Sequence, residues 1–172
     1  PVIFDWQKVN PNINYVLSSD LNIDEDENIF KMDPYEEATI DNIEIKSFGS
    51  TDLGLSFLIK IDGKYIFYAG DLNWWHWAND SLEDQLKEER DFKNELAKID
   101  KLDLDLAFFP VDPRLGEGYS YGGSYFIEEF KPKVLFPMHF ADKLEVTARF
   151  ARDFKSDGVK IMEINKENQS FN

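Results

Sequence analysis

The groups able to do chemistry in this chain are few in type. It has two histidines, His76 and His139, and no cysteine, so thiolate chemistry and disulfides are excluded and any metal must be held by imidazole and carboxylate. Asp71 follows the apolar run KYIFYAG, Asp112 follows LDLAFFP, and His139 follows VLFPM. Side chains from several strands converge at their carboxyl ends in α/β sheets, so these three groups are expected at one edge, joined by the turn Gly49-Ser50-Thr51-Asp52 after IEIKSF. Each has a plainer reading. Asp71 fits a turn or helix cap, and His139 fits a core histidine satisfied by a carbonyl. Trp74, Trp75 and Trp77 fit buried packing, with His76 between them at a pocket mouth or capping the cluster. Arg114 fits a structural ion pair or a clamp for an anionic substrate.

The elements that must position these groups are legible in outline. Residues 14–18, 29–32, 38–40, 43–48, 55–61 and 64–69 read as strands, with Asp41-Asn42 and Asp62-Gly63 as turns between them. Residues 81–99 read as an amphipathic helix with Ser81 as N-cap and Leu82, Leu86, Phe92, Leu96 and Ile99 on its apolar stripe. Residues 104–110 and 134–138 read as buried strands, 125–130 and 144–154 as helices, and 159–164 as a last strand. Hairpins followed by alternating strand and helix predict an α/β layered domain, with two mixed sheets flanked by helices. The acidic run at 23–28 reads as a solvated loop, lacking the Gly and the spacing of a calcium loop.

Bulk properties narrow the partners. A chain of 172 residues with 42% apolar content suits one folded domain spanning 1–172. A net charge of −15 opposes nucleic acid and anionic lipid, both of which need clustered Lys and Arg. No apolar run approaches the ~20 residues of a bilayer span. A cytoplasmic location and a small-molecule substrate are the expectations.

The segments GSTDLGLSFLIKIDGKYIFYAGDLNWWHW, LDLAFFPVDPRLG and KVLFPMHF together resemble the later part of the metallo-β-lactamase fold superfamily, in its metal-dependent hydrolases. The resemblance implies a partial αββα sandwich holding a divalent metal centre. Two zinc ions are the expected occupants, with manganese or iron as alternatives. Asp71 would be the metal-bridging aspartate and His139 a late metal ligand, while His76, Trp74, Arg114, Ser50 and Asp52 would face the substrate. The implied reaction is attack of metal-activated water on an ester, lactone, amide or phosphodiester. Two departures bear on this. The superfamily's His-x-His-x-Asp-His motif is absent from the chain, which begins with Pro1 and VIFDW as though just after it. Ser50 also stands where many members carry the histidine of a Gly-His-Thr turn. The metal site is therefore expected to be incomplete in this chain. A non-catalytic binding module that keeps the fold is the alternative, and a homodimer covering exposed sheet surface is a further expectation.

Overall fold

The computed structural model describes residues 2–24, 26–155 and 157–171; Pro1, Glu25 of the acidic run, Ser156 and Asn172 lie outside them. A 3₁₀ segment, Val2–Lys8, precedes β1 (Tyr15–Ser18) and β2 (Ile29–Met32), which pair in parallel. Next come β3 (Glu37–Ile40), β4 (Ile43–Phe48), β5 (Ser56–Ile61) and β6 (Lys64–Tyr68), an antiparallel meander. Asp62 and Gly63 both have positive φ, 50° and 72°, as a two-residue turn twisted to match its strands requires.

The second half alternates: α1 (Leu82–Leu96), β7 (Leu106–Pro110), a 3₁₀ segment (Pro113–Ser120), α2 (Tyr121–Phe130), β8 (Val134–Met138), α3 (Glu145–Asp153) and β9 (Lys160–Ile161). Strands β6 to β9 run parallel, so the large sheet is mixed, seven-stranded, in the order β3-β4-β5-β6-β7-β8-β9. Among the described residues the second sheet is the parallel β1–β2 pair alone. The run 159–164 contributes only Lys160 and Ile161 as strand.

The helices cover one face of the large sheet. Phe67, Phe92, Phe109, Phe126 and Phe150 are fully buried there, with Phe109 and Phe126 stacked at 4.6 Å. Burying such side chains is the main favourable contribution to folding, roughly 1.5–3 kcal/mol each. The expected stripe of α1 turns inward only in its second half: Phe92 and Leu96 are buried, as is Ile99 just beyond the helix, with Glu95 beside them, while Leu82 and Leu86 are exposed. Glu95 goes in because its carboxylate is satisfied, accepting from Gly49 N–H at 2.7 Å, from Tyr35 and from Lys98. A Cβ on Gly49 would stand 2.9 Å from that carboxylate, which explains the glycine at the head of the turn.

On the opposite face, Met32 and Val16 from the small sheet pack on Ile45 and Phe57. Beyond them the register aligns Ile59, Ile66, Leu106 and Val134 in one row, and Phe57, Tyr68, Phe108 and Phe136 in the next. These two rows are partly exposed. Phe171 near the C-terminus lies edge-on against Phe136 at 4.9 Å.

Candidate metal-binding site

Three parallel strands deliver the three expected groups to one edge. After β6, Gly70 turns the chain with φ 55°, and a Cβ there would stand 2.4 Å from the Leu55 carbonyl oxygen. Only glycine fits that approach, so the Gly-Asp step is what lets Asp71 leave the strand toward the edge. After β7, Asp112 caps the 3₁₀ segment by accepting from Arg114 N–H at 2.8 Å, with Pro113 at its first position. After β8, His139 adopts φ 67°, a left-handed conformation uncommon outside glycine.

The side chains then meet in a line. The Arg114 guanidinium grips Asp112, its Nε 2.9 Å and its Nη2 2.5 Å from Oδ2, and the Asp112 side chain is fully buried. Burial works against the Asp112 charge. The hydrogen bonds from Arg114 and His139 nevertheless outweigh it and hold the carboxyl below its usual range. An ionised carboxylate only accepts, so His139 Nδ1, 2.9 Å from Asp112 Oδ2, carries a proton. That turns Nε2 toward Asp71 Oδ1, 3.2 Å away. Trp75 closes one flank, its ring edge-on to His139 at 5.4 Å and its Nε1 donating to the Asp71 carbonyl at 3.1 Å.

A cavity of about 320 Å³ opens over this line, walled by Thr51, Asp52, Asp71, Glu88, Trp75, Trp77, Arg114 and His139. Asp71, His139, Arg114 and Asp52 are thus brought together. Trp74, His76 and Ser50 are not in this lining. The segment 74–77 points alternate side chains to opposite sides. Trp75 and Trp77 stack with each other at the cavity, whereas Trp74 and His76 both pack on Tyr121, at 5.3 and 5.1 Å. Ser50 lines a neighbouring cleft with Lys87, Asp91 and Lys98. Arg114 is an ion-pair partner of Asp112 whose guanidinium also lies 5.8 Å over the Trp77 ring.

Glu88 was not foreseen. It sits one turn before the buried Phe92, so the inward stripe of α1 carries a carboxylate to the cavity wall. Burial pushes the Glu88 carboxyl up, and Asp91, Asp80 and Asp52 add to that against Lys87. The signal available in sequence was the i, i+4 spacing to Phe92.

As metal ligands, Asp71 and His139 offer one carboxylate and one imidazole nitrogen to the same space. Catalytic zinc uses three protein ligands, and among the described residues no cluster of three or more His, Asp or Glu side chains is arranged to hold a metal ion. The donor types fit; the number falls short.

No family model matches the chain, and no curated protein matches it by sequence. Solved structures do match in shape. A candidate metal-dependent hydrolase from Parabacteroides distasonis superposes with a TM-score of 0.53 at 16% identity, over 77% of this chain and 56% of that one. YhfI from Bacillus subtilis, a metallo-β-lactamase fold protein, gives 0.53 at 10% identity over 91% and 66%. This chain has the metallo-β-lactamase fold. A candidate zinc-dependent hydrolase of that superfamily from Thermotoga maritima agrees, at 0.51 and 17% identity over 85% and 72%. The metallo-β-lactamase fold is present here in part: the chain spans little more than half the length of the Parabacteroides protein. Its large mixed sheet and helical layer are the portion seen, in line with the partial sandwich expected.

Proposed function

We propose that this chain carries part of the metal centre of a metal-dependent hydrolase, with Asp71 and His139 as ligands and Asp112 orienting His139. The observation that carries the reading is the 3.2 Å approach of Asp71 Oδ1 to His139 Nε2. With Nδ1 protonated by its bond to Asp112, a neutral imidazole turns its Nε2 lone pair on a carboxylate oxygen. Two acceptors then face each other, and a divalent cation at that edge relieves the repulsion. A carboxylate behind a ligating histidine is also the usual arrangement for fixing its tautomer. The metal, once bound, would lower the pKa of a water and polarise an ester, lactone, amide or phosphodiester bond. Affinity is expected to be weak, because two ligands fall short of a full set.

The same contact favours a second reading if His139 carries both ring protons. An imidazolium between Asp71 and Asp112 is a closed ion-pair chain with no lone pair for a metal, as suits a binding module without chemistry. Titration of the protein with zinc and manganese by calorimetry, followed by ¹⁵N NMR of the His139 ring, separates the two. The metal reading expects a weak site lost in both Asp71→Asn and His139→Ala, with an Nε2 shift on zinc addition. Binding unchanged in both variants, or a doubly protonated ring indifferent to zinc, overturns it.

A further inference from the structure

His139 and Arg114 form a ridge between two spaces of opposite character. On one side lies the cavity with three carboxylates, Asp52, Asp71 and Glu88. On the other lies an open cleft of about 680 Å³, walled by Pro113, Phe140, Ala141 and Val146 together with His139 and Arg114. That size falls within the roughly 300–1,000 Å³ of small-molecule pockets, and such pockets are mostly apolar with a few placed polar groups. The cations at the cleft are already engaged, Arg114 with Asp112 and Lys143 with Asp142 at 3.2 Å, and Glu145 adds a further negative charge to the wall.

We infer that the ligand of this site is a neutral ester, lactone or amide with an apolar portion of several carbons, its polar end beside His139 and its apolar end in the Phe140–Val146 cleft. The inference rests on the hydrolase reading for the polar end, and on the cleft alone for the apolar end. Charge decides against the other members of the implied substrate class. A phosphodiester would bring an anion to walls that carry Asp52, Glu88 and Glu145 besides the Asp71 given to the metal, on a protein of net charge −15. A neutral carbonyl meets no such opposition, and each methylene placed against Phe140 and Val146 is worth up to about a threefold to fourfold gain in binding.

The test is a binding measurement, so it does not depend on turnover. N-phenylhexanamide, N-methylacetamide and bis(4-nitrophenyl) phosphate are titrated into the ¹⁵N-labelled chain, wild type and Ala141→Trp. Ala141 is an exposed residue of the cleft wall, so a bulky side chain there narrows the cleft without replacing a core residue. N-phenylhexanamide is expected to shift the amides of Phe140, Ala141 and Val146 and to bind at least tenfold more weakly to Ala141→Trp. N-methylacetamide and the phosphodiester are expected to bind at least tenfold more weakly than N-phenylhexanamide to the wild type. Equal binding of the phosphodiester, shifts confined to other regions, or indifference to Ala141→Trp each overturns the inference. Zinc is titrated into the same samples and into Asp71→Asn, so loss of zinc binding reports on the metal reading and loss of amide binding on the cleft.

Discussion

Strands β6, β7 and β8 have a polar cluster at each end, and the two clusters are built differently. At the amino ends Asp105 precedes β7, with Lys64 opening β6 and Lys133 preceding β8. Its carboxylate accepts from Lys133 at 2.8 Å, Lys64 at 3.1 Å and Tyr65 N–H at 3.1 Å. At the carboxyl ends Asp112 is likewise a carboxylate with two side-chain partners, but it is fully buried and those partners are one guanidinium and an imidazole. The Asp105 cluster ends in solvent, with both lysines largely exposed. The Asp112 cluster continues through His139 to Asp71 and a cavity. Convergent charge at a sheet edge is therefore not enough to mark a site. What distinguishes the carboxyl end is an imidazole with one nitrogen fixed by a buried carboxylate and the other turned toward Asp71 at the cavity.

The largest expected effect comes from breaking the buried cluster. Asp112→Asn keeps the shape and removes the charge that fixes the His139 tautomer. Losing charge-assisted bonds at a buried position costs about 1–3 kcal/mol, read as a lower denaturant midpoint with unchanged slope. A tautomer signature sharpens the comparison: the ¹⁵N pattern of His139 is expected to change in Asp112→Asn, and zinc affinity to fall about 10–100-fold. An unchanged ¹⁵N pattern would show that Asp112 supports the fold and does not orient the ring. Arg114→Lys is expected to do less. It keeps a cation beside Asp112 and loses the forked grip, and because the guanidinium is mostly exposed the cost is about 0.5–1 kcal/mol. If Asp112 alone orients the ring, this variant leaves the His139 pattern as it was.

The same contrast explains what could be read from the chain beforehand. The strands IFKM, IEIKSF and VLFPM and the Asp62-Gly63 turn are local patterns, and they match the structure residue for residue. So does the Ser81 cap of α1, which accepts from Asp84 N–H at 3.1 Å. The convergence of Asp71, Asp112 and His139 was legible because three strand ends imply one edge. Long-range choices were not. The parallel pairing of β1 with β2 depends on a loop that brings Tyr15 beside Ile29, and nothing in either four-residue strand dictates direction. The inward stripe of α1 was legible at Phe92, Leu96 and Ile99 but not at Glu95, which is buried through partners 46 and 60 residues away in sequence, Gly49 and Tyr35. Within YAGDLNWWHW alternation separates Trp75 and Trp77 from Trp74 and His76, but only the tertiary contact with Tyr121 decides which pair faces the cavity.

The smallest effect belongs to the exposed cluster, and acid resolves it. Lys133, the Tyr65 amide and Lys64 hold the Asp105 carboxyl down to about 2, against a slight opposing effect of burial. The folded state thus binds this proton more weakly than the unfolded chain, whose Asp titrates near ~3.9. The stabilisation is complete above that value and drains away as pH falls toward about 2. Asp105→Asn should therefore reduce stability at neutral pH slightly and flatten the acid limb of the stability curve in that window, and salt should shrink the difference between variant and wild type. Asp112 is also held low, so its acid limb has the same sign, yet its carboxylate is fully buried and is screened less. Equal salt sensitivity of Asp105→Asn and Asp112→Asn would erase the distinction between a solvated ion cluster and a buried one that leads to a site.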